Sequence, residues 1–108
     1  MSRGNDIFKA LADPTRRTIL ETLRVSPGES AGQIAGRFPE ISRAAVSKHL
    51  GVLRHARLVK AREVGREVHY TVIPGPLAVV YREWLAQFEP LWDESLARLK
   101  RQAEREEP

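Results

Sequence analysis

The chain has 108 residues, 42% of them apolar and 30% charged, which suits one small domain with a modest core. It contains no cysteine, so disulfides, thiolate metal sites and cysteine nucleophiles are excluded. No apolar run is long enough to span a bilayer, and Met1-Ser2-Arg3-Gly4-Asn5 leads into no signal-peptide apolar region, so the location expected by default is cytoplasmic.

The net charge of +4 is unevenly spread. Residues 1–73 carry 13 Lys and Arg against 7 Asp and Glu, whereas residues 74–108 carry 5 against 7. A basic part suits a polyanion, and a less basic tail suits another task.

Residues 7–12 predict a short apolar helix in which Ile7, Phe8, Leu11 and Ala12 cluster. Asp13-Pro14 marks the start of a second helix, with Asp as N-cap and Pro at the first helical position. Ile19, Leu20 and Leu23 give it a buried stripe. Arg16 and Arg17 lie in its first turn, where cations oppose the helix dipole. Two uses fit that placement: phosphate contact, or plain solvated arginines.

Ser26-Pro27-Gly28 is a turn. Ser30 and Gln33 have capping-box spacing before Ile34, Ala35 and Phe38, so a short third helix follows. Its Gly32 and Gly36 allow another helix to approach closely. Residues 38–41 break it, and Ser42 caps a fourth helix expected from Ser42 to about Ala56. Val46, Leu50 and Leu53 share one face of that helix and point to a core. Ala44, Ser47, Lys48, Gly51 and His55 lie opposite, forming a small polar face with little bulk. Such a surface can approach base edges in a major groove. Two helices joined by a short turn are the sequence form of a helix-turn-helix. Ser42, Arg43, Ala44, Ser47, Lys48 and Arg54 are the candidate DNA contacts on this helix.

Residues 58–64 and 67–73 predict two strands joined by Gly65-Arg66, a two-residue hairpin loop with Gly first. Val68, Tyr70 and Val72 alternate as in a half-buried strand. Lys60, Arg62 and Arg66 give the hairpin a basic edge. A basic hairpin directly after such a helix reads as the wing of a winged helix, placed to touch flanking phosphate or the minor groove.

Pro74-Gly75-Pro76 is a hard stop. Beyond it Leu77, Val80, Tyr81, Trp84, Leu85, Phe88, Leu91, Trp92, Leu96 and Leu99 recur at three- and four-residue steps, with Pro90 expected to kink or split the helix. A small domain can bury only part of this stripe. Leu77, Val80, Tyr81, Trp84, Leu85, Phe88 and Trp92 are therefore the expected homodimer interface, the other arrangement being a helix folded back onto its own domain. Residues 100–108 read as a fraying, solvated end. The expected fold class is mainly α with a small β-hairpin: one winged helix-turn-helix domain, with a DNA-binding core over residues 6–74 and a dimerisation helix over residues 75–103.

No catalytic constellation appears. Ser47 and His49 diverge on one helix, His55 and His69 have no partner arranged for metal, and no phosphate-cradling glycine loop is present. His49, near the edge of the core face, reads as a structural, half-buried histidine. No enzyme activity, metal or cofactor is expected.

At this point the chain resembles the ArsR family of bacterial winged-helix repressors. The likeness rests on Phe8-Lys-Ala-Leu-Ala-Asp-Pro-Thr-Arg16 with Arg17-Thr-Ile-Leu20, on Val46-Ser-Lys-His-Leu50 with Leu53, on Leu58-Val59 with Gly65-Arg66 and Tyr70, and on residues 75–99. The resemblance implies a homodimeric, cytoplasmic repressor of operator DNA. By position it places Ser42, Arg43, Ala44, Ser47 and Lys48 on the DNA-facing helix and Lys60, Arg62 and Arg66 on the wing. The family's cysteine metal sites do not carry over, and its zinc sites on the last helix use His, of which residues 75–108 have none. The tail is more similar to a metal-independent branch.

Two positions depart from the family pattern. Arg57 stands where Gly is usual, and Arg is strained in the left-handed conformation that ends such helices. Either the helix ends differently, or Arg57 adds a phosphate contact. Gly51 occupies the DNA face where basic residues are common, at about 1 kcal/mol of helix propensity against Ala. The alternative functions are a winged-helix module that docks a protein through its last helix, and a metal sensor with His and carboxylate ligands shared between subunits.

Overall fold

A computed structural model of the chain describes residues 3–106. The elements run α1 (Arg3–Leu11), α2 (Pro14–Val25), β1 (Glu29–Ser30), α3 (Ala31–Gly36), α4 (Arg43–His55), β2 (Val59–Val64), β3 (Glu67–Val72), α5 (Gly75–Glu83), a 3-10 turn (Leu85–Phe88) and α6 (Glu89–Glu106). They fall into two compact units that divide after Leu77.

In the first unit, side-chain caps place the helix starts. The Asp13 carboxylate accepts from the amides of Thr15 at 2.8 Å and Arg16 at 3.2 Å, with Pro14 in the first turn. Ser30 and Gln33 form a reciprocal capping box at the head of α3. The Ser42 hydroxyl oxygen accepts from the Ala45 amide at 3.0 Å.

The core gathers Ile7 and Ala10 from α1, Ile19, Leu20 and Leu23 from α2, and Ile34 from α3 around Val46, Leu50 and Leu53 of α4. α4 packs against α1, α2, α3 and β2. α1 starts earlier than the sequence suggests, and its buried face is Ile7 and Ala10. Phe8 is 42% exposed and Ala12 is also exposed, because only one side of α1 meets α2 and α4.

The sheet has three antiparallel strands in the order β1-β3-β2. β2 and β3 pair from Val59↔Val72 to Val64↔Glu67, closed by Gly65 at φ +63°. That φ suits the expected hairpin loop with Gly in its first central position. The third strand is an addition to the expected hairpin. Glu29 and Ser30 pair with Tyr70 and His69, so β3 is central, and both of its faces are half-buried rather than alternating from Val68 to Val72.

The end of α4 is the strained point of the fold. Arg57 has φ +61° and is the one non-glycine residue with positive φ among those described. The Leu58 amide donates to the Leu53 carbonyl at 2.9 Å, and the Arg57 amide to the Arg54 carbonyl at 3.0 Å. This is a Schellman ending with Arg in the position that favours glycine. Leu53 and Leu58, the apolar pair that accompanies such an ending, are both fully buried. The helix thus ends as it would with glycine, and the backbone carries the strain.

In the second unit the break comes one turn before Pro90. Pro90 lies in the first turn of α6, where its missing amide would have no helical acceptor. Its ring would crowd the carbonyl of Ala86, and Ala86 sits in the 3-10 turn rather than in α-helix. Trp84 and Phe88 stack edge to face with centroids 5.1 Å apart. α6 runs to Glu106, so much of the tail expected to fray is helical; residues 107 and 108 lie outside those described.

Replacing Arg57 with Gly should relieve the left-handed strain, stabilise the fold by about 1 kcal/mol and raise Tm by about 5 °C. Thermal unfolding followed by circular dichroism measures this; an unchanged or lower Tm would contradict the strain. Leu53→Ala, which opens a cavity behind the same ending, should cost about 2–5 kcal/mol.

Candidate nucleic-acid interface

Burial sets the rotation of α4. Val46, Leu50 and Leu53 are each no more than 1% exposed. Ser42, Arg43, Ala44, Ser47, Lys48, Gly51, Arg54 and His55 are all exposed. The candidate contacts on this helix therefore share an outward surface that runs from its N-terminus to its last turn. Ser42 uses its oxygen for the cap, which leaves its hydroxyl proton free to donate. Arg43 lies over Gly32 of α3, where an added Cβ would come within 3.4 Å of its guanidinium. Gly51 has open space above it and ordinary backbone angles, so its bareness leaves a shallow surface.

On the hairpin, Lys60 and Arg62 are two residues apart on one face of β2, and Arg66 stands in the loop. All three are exposed. The cations of α4 and the hairpin, from Arg43 to Arg66, have no ion pair among the described residues.

The arginines behind this surface are engaged internally. Arg16 donates from Nε to the Ala10 carbonyl at 2.8 Å and from Nη2 to the Lys9 carbonyl at 3.0 Å. Arg17 donates to the Leu11 carbonyl at 2.6 Å. Both therefore donate to carbonyls at the end of α1, which accounts for two cations in the first turn of α2. Arg16 is half-buried and held by these bonds, whereas Arg17 is exposed and uses one of its five donors. Arg16 Nη1 also lies 3.2 Å from His49 Nδ1. His49 is half-buried and ties α4 to α2, as a structural histidine should.

Two carboxylates brace the same region. Desolvation opposes ionisation of Asp13, but hydrogen bonds from the Arg16 and Thr15 amides, with the charges of His49 and Arg16, outweigh it and hold its carboxyl below the ordinary value. The Glu29 carboxyl is lowered chiefly by its two-pronged hydrogen bond from Arg37, against a smaller desolvation effect. Among the described residues, no group of three or more His, Asp or Glu could hold a metal ion.

The expected interface residues of the tail divide by exposure. Val80 is already buried within the chain, and Leu77, Leu85 and Phe88 are half-buried. Tyr81, Trp84 and Trp92 are exposed, together with Leu91, Leu96 and Leu99 at 62–63%.

Comparison with known proteins places this geometry. A helix-turn-helix domain model matches residues 11–62. The transcriptional repressor SdpR of Bacillus subtilis is 38% identical over 68 residues, 63% of this chain and 73% of that protein. The HTH-type transcriptional regulator Rv2034 of Mycobacterium tuberculosis is 45% identical over 73 residues, 68% of this chain and 66% of that protein. An ArsR-like transcriptional regulator from Rhodococcus sp. RHA1 matches in structure with TM-score 0.71 and 38% identity, over 97% of this chain and 94% of its own. The chain belongs to the ArsR family. This ArsR-family chain is a DNA-binding transcriptional regulator with a winged helix-turn-helix fold, and not an enzyme. β2 and β3 form the wing, and no helix among its described residues is long and apolar enough to cross a membrane.

The lowered carboxyls fix the sign of its acid response. A carboxyl that titrates lower when folded stabilises the fold above its ordinary value, 3.8 for Asp13 and 4.5 for Glu29, and loses that contribution as pH falls through the folded value. Tm should therefore fall from about pH 5 downward. Asp13→Asn with Glu29→Gln should lower Tm at neutral pH and flatten the acid decline. A decline as steep as in the parent chain would contradict the two assignments.

Proposed function

We propose that the chain is a homodimeric, cytoplasmic repressor that binds an imperfect inverted-repeat operator. The α4 helices enter successive major grooves, about 34 Å apart on one face of the duplex. Ser42, Arg43, Ala44, Ser47 and Lys48 read or frame the bases, and Arg54, Lys60, Arg62 and Arg66 hold phosphates. The observation that carries this reading is the sorting of charge. Arg16, Arg17 and Arg37 donate to internal partners, while the cations on the exposed α4 face and the wing have no ion pair among the described residues. Unpaired cations around a shallow helix face suit a polyanion. The similarity to SdpR, a transcriptional repressor, agrees with the direction of control.

The dimer reading rests on the exposed apolar side of the tail. Trp92, Leu96 and Leu99 follow one another at four- and three-residue steps along α6, and all are exposed. A second copy would cover them. The chain fits the metal-independent branch, because it has no cysteine and no His beyond His69.

Fluorescence anisotropy with duplex from upstream of its own gene, in the presence of scrambled competitor, tests the reading. Arg66→Ala should weaken binding to every sequence alike and reduce the salt slope by about one for each phosphate that the side chain neutralises. Ser47→Ala should act mainly on sequence discrimination. A change of base preference in Arg66→Ala, or equal loss to scrambled duplex in the parent chain, would overturn the assignments. Leu96→Glu with Leu99→Glu should give monomers in sedimentation and about 100-fold weaker operator binding, because avidity disappears. Intact dimers would place the interface elsewhere.

A further inference from the structure

An open cleft of about 490 Å³ lies where α4 ends, β2 begins and β3 leads into α5. Three cations line it: Arg54, Arg57 and Lys60. Val59, Ile73 and Pro76 supply an apolar lining. No acidic residue lines it among the described residues, and none of the three cations has an ion pair there.

We propose that this cleft binds a small amphipathic organic anion, with a carboxylate or phosphate head on the three cations and a short apolar body on Val59, Ile73 and Pro76. Two independent features converge on that ligand. The first is chemical: three exposed like charges line one cleft whose lining holds no counter-charge, an arrangement that favours an anion. Their neighbours are apolar, as in small-molecule sites with a few polar anchors, and the volume lies within the usual range. The second is conformational. Arg57 lines the cleft while holding a left-handed backbone that glycine would hold at less cost. A strained residue whose side chain completes a cationic site points to use of that side chain.

The site goes beyond the DNA-binding reading and rests on it only for its consequence. Arg54 and Lys60 cannot hold an organic anion and an operator phosphate together, so occupancy of the cleft lowers operator affinity.

Phenyl phosphate is the probe, with benzylamine and inorganic phosphate as controls. In amide NMR spectra of the full chain without DNA, phenyl phosphate should shift Arg57, Lys60, Ala61 and Ile73 and saturate at low millimolar concentration. Inorganic phosphate should bind at least about tenfold more weakly, since it leaves the apolar wall unused, and benzylamine should produce no such shifts. Arg57→Gly keeps the helix ending while removing the guanidinium, so it should fold at least as well and lose binding tenfold or more. Lys60→Gln should lose binding similarly. Unchanged binding in Arg57→Gly, shifts confined to α6, or no saturation would overturn the site. Saturating phenyl phosphate at constant ionic strength should weaken duplex binding by the parent chain and spare Arg57→Gly. A chain that binds phenyl phosphate but no duplex supports the site and overturns only the operator reading.

Discussion

The burial of Val46, Leu50 and Leu53 is the constraint on which the rest depends. α4 meets α1, α2, α3 and β2, and this stripe is the part of it that they enclose. Rotating α4 to expose any of the three would strip apolar surface from the core, at roughly 1.5–3 kcal/mol for each side chain. The opposite face, from Ala44 through Ser47, Lys48 and Gly51 to His55, is outward as a consequence. His49 marks the seam between the two faces, and its contact with Arg16 ties the rotation of α4 to α2. A helix turned by its core in this way presents a fixed surface to a groove.

The same stripe governs the wing. Leu53 and Leu58 are buried at the Schellman ending, and Val59 is buried immediately after it. The chain must reverse within Ala56 and Arg57 to bring both sides into the core. A left-handed residue achieves that reversal, and here it is an arginine. The register of β2 with β3 then sets the reach of Lys60, Arg62 and Arg66. Stability and charge compete at this corner. Glycine would relax the backbone, but it would remove one of the cations that line the cleft at the wing's base.

Local chemistry makes much of this architecture legible in advance. Asp13-Pro14, the Ser30–Gln33 box and Ser42 each announce a helix start, because a cap needs only side chains a few residues from the amides they serve. Spacing alone identifies the buried face of α4, and Gly65-Arg66 fits the hairpin loop. Other features depend on contacts that no local pattern encodes. β1 is two residues long and has no periodicity to read; it exists because β3 offers a free edge. The first turn of α2 is cationic because Arg16 and Arg17 reach back to the end of α1, which requires knowing how the two helices meet. A short linker between helices, with arginine following it by a few residues, is the signal that could have suggested this. Phe8 has the spacing of a core residue but stays 42% exposed, outside the stripe that Ile7 and Ala10 bury. The strain at Arg57 is visible as a conflict between residue and position, though not how the conflict resolves. The break near Pro90 is visible too, but the chain yields a turn earlier, at the carbonyls the ring would crowd.

Cysteine chemistry tests the outward face of α4 directly, because the chain has no cysteine of its own. An iron chelate tethered at His55→Cys, on the exposed last turn of α4, would cleave the DNA nearest that face. With that face in the groove, two clusters of cuts should fall in major grooves about 34 Å apart on one side of the duplex. Cuts scattered along the duplex, or confined to the flanks that a chelate at Arg66→Cys marks, would contradict it.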